Sequence, residues 1–154
     1  MSERFELGRE EDTLAFGQVL AERLGEGGVV YLSGDLGVGK TTLVRGLLRA
    51  LGFEGRVKSP SYGLVESYEL DDLTVHHLDL YRLSHGEEIS YLGLEDLFEG
   101  PTLMLVEWPE KGRGWLPPAT VEIRIEDGAN NGRVLWLDRD GPSGTSPRPK
   151  ARQS

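Results

Sequence analysis

Residues 33–42, SGDLGVGKTT, follow directly on the apolar run Val29, Val30, Tyr31 and Leu32 and confine the chain more tightly than any other stretch. Gly34, Gly39, Lys40 and Thr41 satisfy the spacing GxxxxGK[ST], which has its physical meaning only between a strand and a helix. Glycines accept positive φ and carry no Cβ, so successive backbone N–H groups can turn inward around an anion. A loop through Gly34, Gly37, Val38 and Gly39 thereby becomes a cup of donors. Lys40 would reach the β- and γ-phosphates as a point charge, and the Thr41 hydroxyl can ligate a magnesium ion on the same oxygens. A helix starting near Lys40, with Thr41 and Thr42 in its first turn, aims its positive dipole end at those phosphates. Leu43, Val44, Leu47, Leu48 and Leu51 fall at helical spacing after the loop, so both flanks are right. The expected ligand is a nucleoside triphosphate. The guanine signature NKxD is absent from the sequence, which favours ATP.

The 154 residues suffice for one domain with a real core and leave no room for a large accessory domain. Cysteine is absent, which removes disulfides, thiolate metal sites and a cysteine nucleophile and fits a reducing compartment. No apolar stretch approaches a membrane span, and MSERFELGREED lacks the basic start and apolar core of a signal peptide, so a soluble cytoplasmic protein is expected. The net charge is −9, yet residues 139–154, RDGPSGTSPRPKARQS, carry +3. The acidic body over 1–138 should repel nucleic-acid phosphates, which argues against a large direct DNA or RNA interface. The Pro-, Gly- and Ser-rich end has no apolar periodicity and is expected to be a disordered basic tail.

Along the body, Leu14, Phe16, Val19, Leu20 and Leu24 predict a helix over about 10–25, headed by acids that suit a helix N-terminus. GVVYLS is expected to be the first strand, and the helix over 40–51 should close at Gly52. Residues 62–70 and 73–81 read as a β-hairpin around Asp71 and Asp72, and residues 87–98 as one or two short helices. TLMLVEW has the pattern of a fully buried parallel strand. TVEIRIE alternates as a half-exposed strand and should pair with GRVLWLD across DGANNG. The expected fold class is α/β, like a phosphate-loop NTPase: a mixed sheet with a parallel core, antiparallel edge strands and flanking helices.

Ligands of open α/β sheets collect beyond the carboxyl ends of the parallel strands. Asp79 closes VHHLD and Glu107 closes LMLVE, so two carboxylates should emerge beside the bound phosphates. One can hold magnesium while the other orients or deprotonates the attacking water, and the sequence leaves the division open. Lys40, Asp79 and Glu107 are the candidate catalytic residues, and Thr41, Glu107 and Asp79 the candidate metal ligands. Ser59, Pro60 and Ser61 lie where related NTPases sense the γ-phosphate, so Ser61 joins the nucleotide-binding candidates. His76, His77 and His85 have no companions at ligand spacing; His77 reads as a packed or hydrogen-bonded strand residue. Trp108 is a contact aromatic or a wall of the pocket.

Taken together, GDLGVGKTT, VKSPSYGLV, HLDLYRL and LVEWPEKG resemble, in this order and at these separations, the bacterial TsaE family, also called YjeE, over about residues 5–138. The resemblance implies a small ATPase needed to make threonylcarbamoyladenosine (t6A) beside the anticodon of tRNAs that read codons starting with A. Its partners would be TsaB and TsaD, with TsaC supplying the threonylcarbamoyl adenylate and tRNA met only through the complex. Carried over by motif, residues Gly37 through Thr42 would bind the ATP phosphates, and Thr41 with Glu107 would hold magnesium. Asp79 would assist the metal or the water. Glu10 to Thr13, and Gly132 with Arg133, would approach the adenosine end. The family usually carries SPT where this chain has Ser61; serine keeps the hydroxyl and loses the β-branch.

Two rival readings follow from the same residues. A small-molecule kinase needs several arginines in a lid around the transferred phosphate, whereas Arg82, Arg113 and Arg133 are scattered. A non-hydrolysing switch would bind nucleotide only to present a surface.

Overall fold

The opening residues form a strand that the apolar pattern conceals. In the computed structural model, which describes residues 2–35, 37, 39–58, 60 and 64–139, Ser2–Leu7 is an edge strand, β1. GVVYLS is therefore the second strand. The segment alternates, but only Phe5 and Leu7 are apolar on the inward side. The third inward position is Glu3, whose carboxylate takes two hydrogen bonds from Arg23, at 2.8 and 3.1 Å. Charge neutralisation there replaces the hydrophobe on which a strand reading depends.

The remaining elements are α1 (Glu10–Leu24), β2 (Gly28–Ser33), α2 (Lys40–Ala50), β3 (Val65–Glu69), β4 (Thr74–Asp79), a 3₁₀ turn over Gly86–Leu92, the short α3 (Leu94–Leu97), β5 (Thr102–Glu107), a 3₁₀ turn over Pro109–Gly112, β6 (Val121–Asp127) and β7 (Arg133–Arg139). β7 runs through Arg139, one residue past the boundary drawn from composition. The seven strands form one sheet in the order β1-β7-β6-β2-β5-β4-β3. Its four central strands, β6, β2, β5 and β4, are parallel; β1–β7, β6–β7 and β3–β4 pair antiparallel. The chain thus has the mixed sheet with a parallel core expected from its sequence, and β5 is buried along its whole length.

The two faces of the sheet are covered differently. Val30 and Leu32 of β2, with Leu103 and Leu105 of β5, pack against Phe16, Leu20, Leu43 and Leu47 of α1 and α2. Val29, Leu78, Met104 and Val106 face Ile89 and the 3₁₀ segments. Alternation along each strand sends successive residues to opposite cores. His76 shows the consequence. Its Nδ1 accepts from Ser67 Oγ at 2.7 Å and its Nε2 donates to the Leu97 carbonyl at 2.9 Å, tying β4 to β3 and α3. Burial pushes its pKa down, and the neutral ring satisfies both partners.

α1 and α2 cross with their backbones in contact. A Cβ on Gly17 would sit 2.1 Å from the Gly46 carbonyl carbon, and one on Gly46 would sit 2.1 Å from the Leu14 carbonyl oxygen. This pair of glycines brings the start of α1 beside the start of α2.

Candidate functional site

Strand register decides what meets at the carboxyl edge. Leu32 and Asp79 both pair with Glu107, so β2, β4 and β5 end level with one another. On the other side Leu7 pairs with Arg133, which also pairs with Asp127, so the start of α1 and the β6–β7 loop arrive at the same edge. Five segments far apart in sequence converge there.

The loop after β2 contains Gly34, Gly37 and Gly39 at φ of 148°, 82° and 107°. All three lie in the positive region that favours glycine. Gly39 is the N-cap of α2, and a Cβ there would come within 3.7 Å of Thr13 Cγ2, while nothing lies within 4 Å of one placed on Gly37. The loop is open above Gly37 and floored by α1 beneath Gly39.

Lys40, the first residue of α2, is buried to 5% exposure. Its Nζ donates to the Gly34 carbonyl at 2.6 Å, lies 3.5 Å from Glu107 Oε1 and stands 4.4 Å over the Trp108 ring. Trp108 takes φ of 57°, an uncommon conformation for a bulky residue, and Tyr81 packs beside its ring at 5.1 Å between centroids. The carbonyl, the carboxylate and the indole together hold one ammonium.

Glu107 is equally buried, and its Oε2 accepts from His77 Nε2 at 2.6 Å. Burial alone raises a carboxyl pKa. Here the His77 hydrogen bond and the Lys40 ammonium outweigh that effect and hold Glu107 below its ordinary value. Asp79 goes the other way. Burial pushes its carboxyl up and the Glu107 charge adds to the push, although the Tyr81 N–H, donating to Oδ1 at 3.0 Å, draws it partly back. Neighbouring strand ends therefore carry two acids of opposite bias.

Arg133 reaches across to the loop: its Nη2 donates to the Gly37 carbonyl at 3.2 Å and its Nη1 to the Gly132 carbonyl at 3.0 Å. A cavity of about 270 Å³ lies beside it, lined among others by Arg9, Glu10, Thr13, Gly39, Thr42 and Arg133. A larger cavity of about 450 Å³ opens at the opposite edge between residues 51–55 and 69–73. Its titratable lining groups are Glu54, Glu69, Asp71 and Asp72, all acids, and no parallel strand ends at it.

The structure thus brings Lys40, Asp79 and Glu107 to one edge with Gly34, Gly37 and Gly39, and puts Thr41 and Thr42 in the first turn of α2. Glu10 and Arg133 line one cavity. Val38 and Ser61 lie outside the described residues. Sequence reasoning missed the His77 contact with Glu107, the seating of Lys40 on Trp108, and Arg9 in the cavity wall. Two of these left a trace: His77 and Asp79 share a strand face by period-two spacing, and Trp108 follows Glu107 directly, where it reads as a contact aromatic or a wall of the pocket.

Among the described residues, no group of three or more His, Asp or Glu side chains is placed to hold a metal ion. The donors at the edge are hard oxygens, those of Thr41, Asp79 and Glu107, which suit magnesium. Two carboxylates and a hydroxyl fit an ion whose other ligands arrive as phosphate oxygens. Among the described residues, no helix is long and apolar enough to cross a membrane.

The profile of the family described as "Threonylcarbamoyl adenosine biosynthesis protein TsaE" matches residues 7–135. The chain is 49% identical over 105 residues to the tRNA threonylcarbamoyladenosine biosynthesis protein TsaE of Haemophilus influenzae, covering 67% of this chain and 66% of that protein. It is 36% identical over 127 residues to the protein of the same name from Treponema pallidum, covering 82% of this chain and 93% of the other. The crystal structure of Bacillus subtilis YdiB superposes with a TM-score of 0.77 at 28% identity, covering 93% of this chain and 88% of that one.

Proposed function

Since the chain belongs to the TsaE family, we propose that it is the magnesium-dependent ATPase subunit of tRNA t6A biosynthesis, acting on a complex of TsaB and TsaD. The observation that carries this reading is the Lys40–Glu107 contact of 3.5 Å at the head of α2, behind three positive-φ glycines. A buried lysine and a buried glutamate that neutralise each other are ready to exchange partners. Lys40 would turn to the β- and γ-phosphates of ATP, which would leave Glu107 Oε1 free to hold magnesium together with Thr41.

Magnesium bound there would neutralise the charge spread over the phosphate oxygens during transfer. The chain's own residues supply the rest. Loop amides at Gly37, Val38 and Gly39 hold the phosphates, and α2 presents its N-terminus to them. Glu107, held anionic by His77 and Lys40, suits metal binding. Asp79, whose affinity for protons is raised, suits orienting the attacking water and taking its proton through Oδ2, since Oδ1 is engaged by Tyr81. Arg133 steadies the Gly37 carbonyl, and the neighbouring cavity by Arg9 and Glu10 takes the adenosine end. Ser61 is assigned to γ-phosphate sensing by its position in the chain alone.

The acidic body supports a division of labour in which the partners meet the tRNA and this subunit converts ATP hydrolysis into a conformational reset. Nucleoside analysis of tRNA tests the pathway. Cells depleted of this protein are expected to lose t6A from tRNAs that read codons starting with A and to regain it when the wild-type chain is restored. Undiminished t6A in depleted cells would contradict the assignment.

A further inference from the structure

Two adjacent histidines of β4 are buried, and they are used in opposite ways. His76 is a structural ring: Ser67 and the Leu97 carbonyl satisfy both of its nitrogens. His77 is more deeply buried, at 1% exposure. It makes one bond, from Nε2 to Glu107 Oε2 at 2.6 Å, while its Nδ1 has no hydrogen-bond partner among the described residues. A histidine retained for packing and satisfaction would resemble His76. A buried ring with one orphaned nitrogen spends its remaining nitrogen on a single acceptor.

From this contrast we infer that His77 is a positioning residue, which clamps Glu107 Oε2 and thereby dedicates Oε1 to the cation side of the site. The tautomer follows from the partners. A carboxylate accepts and does not donate, so the Nε2 bonded to Glu107 carries a proton. With Oε2 pinned, the carboxylate plane cannot rotate to present either oxygen at random. The other oxygen faces Lys40 Nζ at 3.5 Å. Groups that orient a ligand in this way set both the affinity and the geometry of the ion it holds. The half of the inference that concerns magnesium rests on the ATPase reading above; the clamp itself does not.

The experiment has two readouts. In a ¹H–¹⁵N spectrum of the ligand-free wild type, the His77 ring is expected as the Nε2–H tautomer, with a downfield, slowly exchanging proton that disappears in Glu107→Ala. A folded wild type lacking that proton, or showing Nδ1–H instead, overturns the clamp. The second readout is steady-state ATP hydrolysis across a magnesium titration, on His77→Leu and His77→Gln of verified melting temperature. Gln places a side-chain N–H near the former Nε2 and cannot titrate.

His77→Leu is expected to lose about tenfold or more in kcat and to need several-fold more magnesium for half-maximal rate, with KM for ATP within about twofold of wild type because the loop and Lys40 are untouched. His77→Gln is expected to recover most of both losses. An unaltered His77→Leu, or a His77→Gln as impaired as His77→Leu with the magnesium midpoint unmoved, shows that the ring only fills space. Should wild type hydrolyse no ATP at all, the ATPase reading fails, and the spectrum still decides the clamp. Should His77→Leu not fold, the spectrum and the Gln variant carry the decision.

Discussion

Glu107→Gln is expected to lower ATP hydrolysis by about a hundredfold to a thousandfold, the range typical of losing one positioned charge or proton-transfer group at a reacting centre. The loss should appear in phosphate release measured with TsaB and TsaD present. Glutamine keeps the length of the side chain and can still accept from His77, so the fold around it should persist. What it removes is the negative charge. In the resting protein that charge faces Lys40, and in the loaded protein it would face magnesium. Binding of ATP without metal should survive, because the loop glycines and Lys40 remain. The substitution also separates the rival readings. A switch that never hydrolyses nucleotide would lose little, and a kinase would reveal itself in the wild type through a phosphorylated acceptor.

Gly46→Ala should cost a large loss of stability for a single methyl group. The new Cβ would fall 2.1 Å from the Leu14 carbonyl oxygen and 2.9 Å from its carbon. These are main-chain atoms, so no side-chain rotation can relieve the clash and α1 must move away from α2. Overpacking of this kind costs about 3 kcal/mol, a fall in melting temperature on the order of 10 °C for a domain this size. Gly52→Ala is the comparison. It sits at φ of 105° with nothing within 4 Å of the added carbon, so only backbone strain of about 1 kcal/mol is expected. Calorimetric melting of the two variants checks the difference, and equal melting temperatures would contradict it. Displacing α1 also moves Arg9, Glu10 and Thr13 relative to Gly39, so nucleotide affinity should fall with stability in Gly46→Ala.

What the sequence disclosed depended on whether the signal was local. The glycine loop, Lys40 and the helix behind it sit within about twenty residues, and their spacing alone places them. Glu107 and Asp79 were legible because an apolar run ending in an acid marks a buried strand emerging at the carboxyl edge. β1 was hidden because Glu3 occupies an inward position and is neutralised by Arg23, twenty residues away. The His77–Glu107 bond was hidden for a similar reason. It requires knowing that β4 lies beside β5 with Asp79 opposite Glu107, and no pattern within either strand states that register. Trp108 beneath Lys40 was out of reach because its left-handed backbone turns the ring back toward the loop, contrary to the conformation a bulky residue ordinarily takes. The residues that sequence placed lie along single elements, and those it missed are contacts between elements.

Titration calorimetry of ATP with magnesium into the purified wild-type protein and into Lys40→Ala tests the central claim, that a triphosphate sits on this loop with its charge met by Lys40. The expected result is saturable one-to-one binding to the wild type and an affinity at least about tenfold weaker in Lys40→Ala, the worth of one charge-assisted contact. No heat with the folded wild type, or equal affinities for the two proteins, would contradict it.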